Sequence, residues 1–169
     1  TKFDYFNGYY IRSLSVTDLV KRIKPFLTAA GYAPDDAKLE KIVPIIQERM
    51  NTLDDCVEMA GFFFKDEVTP LAEDLVAKGL TAAESADLAA QALEILRALP
   101  DISAATAEEP LRALVERSGK SPQQVFGILR VAVTGQRVSP PLFESMEIIG
   151  KPVVLNRLEN AVAALKKIA

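Results

Sequence analysis

The sequence predicts an all-α fold, a helical bundle or cage of about nine or ten helices in two subdomains. Three observations carry this. Apolar residues recur at helical spacing, as in Leu88, Ala92, Leu93, Leu96 and Leu99, and again in Val154, Leu158, Ala161, Val162, Leu165 and Ile168. Helix-start patterns of the Ser/Thr-x-x-Asp/Glu type punctuate the chain, with stops at Gly31, Gly79, Pro100, Gly119, Gly135 and Gly150. No segment alternates at period two, the signature of a half-buried strand.

Phe3-Asp4-Tyr5-Phe6 already reads as helix, and the chain opens on Thr1 rather than methionine, so a piece of a longer protein is expected. Ser15 with Asp18 starts the next helix, and Asp35 and Asp36 stand in another helix-starting context. Pro25 and Pro44 fall inside helical patterns and are expected to end or kink them. Thr52 with Asp55 offers a third start, beside Asp54. The aromatic run Phe62-Phe63-Phe64 after Gly61 has the chemistry to stack bases, but with Asp66 and Glu67 following it reads as core packed between helices. A junction is expected at Phe64–Thr69, with Pro70 opening a new helix and the subdomains spanning 1–68 and 69–169. Thr81 with Glu84 and Thr106 with Glu109 are the remaining starts, separated by a loop over residues 100–107. There is no internal repeat and no low-complexity tract.

The 169 residues, 49% hydrophobic and 25% charged, suit a soluble globular protein. No membrane span or signal segment is legible, and the lone Cys56 reads as a buried thiol, in keeping with a cytoplasmic location. The chain has no histidine. That removes Ser-His and Cys-His nucleophile systems and the usual zinc sets. No phosphate-cradling Gly-x-x-x-x-Gly-Lys-Ser/Thr loop is present, and the paired aspartates read as caps. No catalytic residue and no metal site is expected. The net charge of −3 conceals a basic–acidic–basic layout: +2 over residues 1–50, −10 over 51–109 and +5 over 110–169. A positive face for a phosphate backbone is compatible with that layout.

Val133-Thr134-Gly135-Gln136-Arg137-Val138-Ser139-Pro140-Pro141-Leu142-Phe143 reads as one helix ending and another beginning. Gly135 suits the position just past a helix end, Ser139 an N-cap and Pro140 a first helical turn. Amides at such an N-terminus, beside Arg137, suit a polyanion or a base edge; an ordinary helical corner is the alternative. On the helix before it, Gln123, Gly127, Arg130 and Thr134 form a polar stripe opposite Val125, Leu129 and Ala132, with Gly127 leaving room for close backbone approach.

Asn7-Gly8-Tyr9-Tyr10-Ile11-Arg12, Lys24-Pro25-Phe26-Leu27, Gly31, Thr134-Gly135, Ser139-Pro140-Pro141-Leu142-Phe143 and the amphipathic tail after Gly150 follow one another in this order. The ordered set resembles the C-terminal half of bacterial glutamyl-tRNA synthetases, over essentially the whole chain. The resemblance implies an all-helical, non-catalytic cage gripping the anticodon loop of glutamate tRNA. It implies a catalytic half elsewhere, to which ATP and Mg would belong, and no cofactor for this chain. A monomer is expected, with no membrane or DNA partner. Both synthetase ATP signatures are absent here, so the fragment itself is not expected to catalyse.

Carried over by position, Arg49 matches an arginine that in some members reads the third anticodon base, cytosine in glutamate tRNA and guanine in glutamine tRNA. The alternative is an arginine neutralising the dipole of the preceding helix. Ser139, Pro140 and Leu142 match positions contacting the first two anticodon bases, and Arg130 a basic residue beside the loop. Arg117, Lys120, Arg137 and Arg157 are phosphate candidates by charge. The chain departs from the family in having Tyr5 where tryptophan is usual and Ser139 where many have glycine. The Asn7–Arg12 motif reads as structural, an interface to the other half. The competing reading is an all-helical protein-interaction module that keeps the scaffold without the RNA site.

Overall fold

The computed structural model describes residues 2–169, with side chains from Asn7 onward. Among these residues there are ten α-helices and no strand. The chain divides into two compact units, Thr1–Asp66 and Glu67–Ala169.

The first unit holds α1 (Lys2–Ser13), α2 (Val16–Ala29), α3 (Asp36–Ile46) and α4 (Asp55–Ala60), with 3-10 turns at Gln47–Arg49 and Gly61–Phe64. Ser15 caps α2 by accepting from the Asp18 amide, and Asp35 caps α3. Leu19, Ile23 and Leu27 of α2 meet Leu39, Ile42 and Ile46 of α3 in a core that also takes in Met50, Cys56 and Phe62. Phe62 and Phe63 are buried, as the aromatic run suggests, while Phe64 lies under the Lys38 ammonium at 5.2 Å. Gly61 packs against Tyr32: a Cβ there would stand 2.8 Å from its hydroxyl, so the ring would have to shift.

Of the two outcomes expected at the prolines, neither helix ends at its proline. α2 continues past Pro25 and α3 past Pro44. Both rings lie on exposed faces, where a carbonyl deprived of its amide partner can turn to water. Pro44 also sits in the last turn, where α3 gives way to the tighter Gln47–Arg49 turn.

The second unit holds α5 (Ala72–Leu75), α6 (Ala82–Ala98), α7 (Ala104–Ser118), α8 (Pro122–Thr134), α9 (Leu142–Ile149) and α10 (Lys151–Ile168). α6 and α10 lie along one another and bury Leu88, Leu93 and Leu96 with Val154, Leu158, Ala161 and Leu165. Ile168, assigned to that stripe by spacing, is instead 50% exposed in the final turn. Thr81 and Glu84 form the expected capping box. The α7 cap lies three residues before the expected one: Ser103 and Thr106 form the box, because Thr106 falls at its third helical position. α5 begins at Ala72 rather than at Pro70. Ser121 and Gln124 close a capping box on α8 that the Asp/Glu pattern did not include, glutamine being an equally good reciprocal acceptor.

Candidate functional site

In the first unit the residue of interest is Arg49, the last of the Gln47–Arg49 turn, with an exposed side chain. The turn is held from both sides. Gln47 donates its side-chain amide to the Ile11 and Leu14 carbonyls at 2.9 and 2.8 Å, closing the end of α1. On the other side the Asp55 carboxylate accepts from the Asn51 and Thr52 amides at 2.8 and 3.0 Å. Burial by itself would raise the Asp55 pKa, but the Thr52 and Asn51 amides and the Thr52 hydroxyl outweigh it and hold the group below its ordinary value. The Thr52–Asp55 pattern thus works in one direction: Asp55 reaches back, and the helix cap itself is Asp54, without a side-chain bond. Met50 plugs into the core behind the turn. Gly8 packs close by, since a Cβ there would lie 2.9 Å from the Arg12 guanidinium and 3.3 Å from the Asn51 side chain. Tyr5 lies outside the residues whose side chains are described.

In the second unit Arg130, Ser139, Pro140 and Leu142 come together at the α8–α9 corner. α8 ends at Gly135, in the left-handed region at φ 76°, whose amide donates to the Val131 carbonyl at 2.8 Å. Thr134 is buried; its hydroxyl donates to the Arg130 carbonyl at 2.7 Å and accepts from the Gln136 amide at 3.1 Å. The Arg130 guanidinium reaches across the loop. It donates to Ser139 Oγ at 2.6 Å and to the Pro140 carbonyl at 3.0 Å, with the Ser139 carbonyl at 3.4 Å.

Ser139 is therefore not the N-cap of α9. Pro141 occupies that position without a side-chain bond, because the Ser139 hydroxyl is turned to Arg130 and to the Pro140 carbonyl. Pro140 accordingly precedes the helix instead of opening it. Ser139 and Leu142 are 6% and 5% exposed, so their side chains belong to the corner's interior. Phe143 of α9 meets Phe126 of α8 edge to face, with ring centroids 5.8 Å apart. What the loop presents outward is Val138, 83% exposed, and Arg137, which pairs with Asp74 at 2.8 Å.

The other basic candidates part ways. Arg157 is 2% exposed and donates to the Val133 carbonyl at 2.7 Å, a cation at the C-terminal end of α8, so it is not a phosphate contact. Burial lowers its pKa. Charge alone could not tell this arginine from a surface one. Lys120 pairs with Glu84 at 3.0 Å, while Arg117 is exposed in the last turn of α7.

A cleft of about 480 Å³ opens between residues 74–78 and α8, with Gln123, Gly127 and Arg137 on its wall. The polar stripe read on α8 thus runs from this cleft into the corner, from exposed Gln123 to buried Thr134.

The anticodon binding domain family matches residues 18–162. The chain belongs to this family. It is 39% identical to a glutamate-tRNA ligase of Dehalococcoides mccartyi over 98% of its own length, and 38% identical to one from a Nocardioides species over 95%. It spans about a third of those relatives, 35% and 34% of their lengths. Two solved glutamate-tRNA ligases share the fold of this anticodon-binding domain. That from Elizabethkingia meningosepticum superposes with a TM-score of 0.78 at 24% identity, covering 96% of this chain and 32% of that one. That from Elizabethkingia anophelis gives 0.70 at 23% identity, covering 95% and 31%.

Proposed function

We propose that this chain binds the anticodon loop of glutamate tRNA as the non-catalytic, C-terminal part of a glutamate-tRNA ligase. The observation that carries the reading is the family match over nearly the whole chain, together with similarity confined to about a third of each ligase it resembles. The catalytic half of the same enzyme is the second partner, and ATP and Mg act there. No cofactor is assigned to this chain, and the proposed setting is a cytoplasmic monomer engaging neither DNA nor membrane. No described helix is long and apolar enough to cross a membrane.

The recognition residues are Arg49 in one subdomain, 1–68, and Arg130, Arg137, Ser139, Pro140 and Leu142 in the other, 69–169. Their roles differ. Arg49, on a turn braced by Gln47 and Asp55, reads the third anticodon base: a guanidinium donates to the carbonyl and ring nitrogen of an unstacked cytosine. Arg130 acts through the corner it holds, fixing Ser139, Pro140 and the start of α9 where Leu142 is anchored. Arg137 contacts phosphate, exchanging an exposed pair with Asp74 that is worth little in water.

The test is a binding titration of the chain with an RNA stem-loop carrying the glutamate anticodon, beside one with a scrambled loop. Saturable binding that prefers the glutamate loop is expected. Equal or absent binding of both would leave the protein-interaction module as the better reading. Neither glutamylation nor glutamate-dependent ATP–pyrophosphate exchange is expected from the chain alone.

A further inference from the structure

We propose that the cleft between residues 74–78 and α8 receives one unstacked nucleotide of the bound RNA loop, its base laid against the bare helix backbone at Gly127. The inference rests on the RNA-binding reading above and adds a subsite to it.

Gly127 carries the argument. Five of the eight glycines, at 31, 79, 119, 135 and 150, hold a positive φ, and a Cβ at Gly8 or Gly61 would come within 3 Å of a neighbouring side chain. Gly127 shows neither feature. It lies inside α8 without positive φ, and a Cβ there would find nothing within 4 Å. A glycine in a helix interior is destabilising relative to alanine. The fold gains nothing from this one, so the open space beside it is better explained by something that comes close to the backbone.

The surroundings suit a nucleotide. The cleft's volume of about 480 Å³ falls within the range of roughly 300–1,000 Å³ common for small-molecule sites. Val76 and Ala77, both half-buried, supply apolar surface for a base face. Gln123, exposed one turn before Gly127, offers a donor and an acceptor to a base edge. Arg137, paired with Asp74 in the absence of RNA, stands on the wall as a cation for the adjoining phosphate, for which it exchanges that pair. The opposite wall is fixed to the helix, because Gln124 donates to the Lys78 carbonyl at 2.9 Å while its own oxygen accepts from the Ser121 amide.

The experiment uses the whole 169-residue chain, its Gly127→Ala and Gly127→Leu variants, and the stem-loop carrying the glutamate anticodon. Alanine should raise the melting temperature by roughly 2–4 °C, as removal of a helix glycine does. It should at the same time weaken RNA binding. Leucine, filling the cleft, should weaken it roughly five- to hundredfold, the range for losing one stacked base, with the salt dependence unchanged. A variant that is more stable yet binds less well cannot be explained by damaged folding. If wild type binds and the leucine variant binds equally well, or if alanine lowers the melting temperature, the subsite is overturned while the RNA-binding reading stands. If wild type does not bind, both fall.

Discussion

The guanidinium of Arg130 donates to Ser139 Oγ at 2.6 Å and to the Pro140 carbonyl at 3.0 Å, so one side chain of α8 fixes the loop that leads into α9. The bonds are charge-assisted and half-buried, and they span a corner with no regular backbone ladder. Removing them takes a charged donor from the Ser139 hydroxyl and from the Ser139 and Pro140 carbonyls, and leaves the shorter-range Ser139 hydroxyl–Pro140 carbonyl bond to hold the loop. Arg130→Met is therefore expected to cost about 1.5–3 kcal/mol in denaturant unfolding. Ser139→Ala should cost less, since the carbonyl acceptors remain. Equal and negligible losses would show that the loop holds its shape without the arginine.

Arg49 is expected to govern discrimination. In Arg49→Gln, the preference for cytosine over guanine at the third anticodon base should fall by about 1–3 kcal/mol, roughly five- to hundredfold. Overall affinity should fall less, because glutamine both donates and accepts and so tolerates guanine. The comparison needs two stem-loops differing in that base, with melting curves alongside. An unchanged ratio with a lowered melting temperature would assign Arg49 to the α3 dipole instead.

Binding should be salt-sensitive. About three to five phosphate contacts give a log–log slope of roughly −2 to −4 with the shallower single-strand coefficient. Arg137→Gln should flatten that slope by about 0.7 and weaken all RNA sequences alike, the mark of a phosphate contact. Arg157→Gln should behave differently: its guanidinium serves the Val133 carbonyl inside the unit, so stability falls and the slope stays.

Cys56 is fully buried, and burial, aided by the charges of Asp54 and Asp55, pushes its thiol up to about 12. A native chain at pH 8 should not react with a thiol reagent, and unfolding in denaturant should release one reactive group per chain. The folded pKa lies above the unfolded one. Stability from the neutral thiol is therefore complete below about pH 9 and declines as pH rises from there toward 12. Cys56→Ser should flatten the decline over that window.

What the sequence determined by itself is what acts within one or two helical turns. The apolar spacing of α6 and α10, the caps at Ser15 and Thr81, and the glycines that close helices at 119 and 135 all follow from contacts a few residues long. The same locality made Phe62 and Phe63 legible as core and the α8 stripe legible as a polar face. Local chemistry misplaced the cap of α9 because a serine before prolines is a sound N-cap until a side chain nine residues earlier claims its hydroxyl. Arginine shows the limit most clearly. Arg130, Arg137 and Arg157 are alike in sequence, yet one holds a loop, one pairs at the surface and one is buried on a carbonyl 24 residues away. A long cationic side chain takes its role from whichever acceptors the folded chain brings within reach, and those are set by packing between helices. Tertiary structure likewise decided the significance of Gly127: spacing placed it on a face, but only the folded unit put an open cleft beside it.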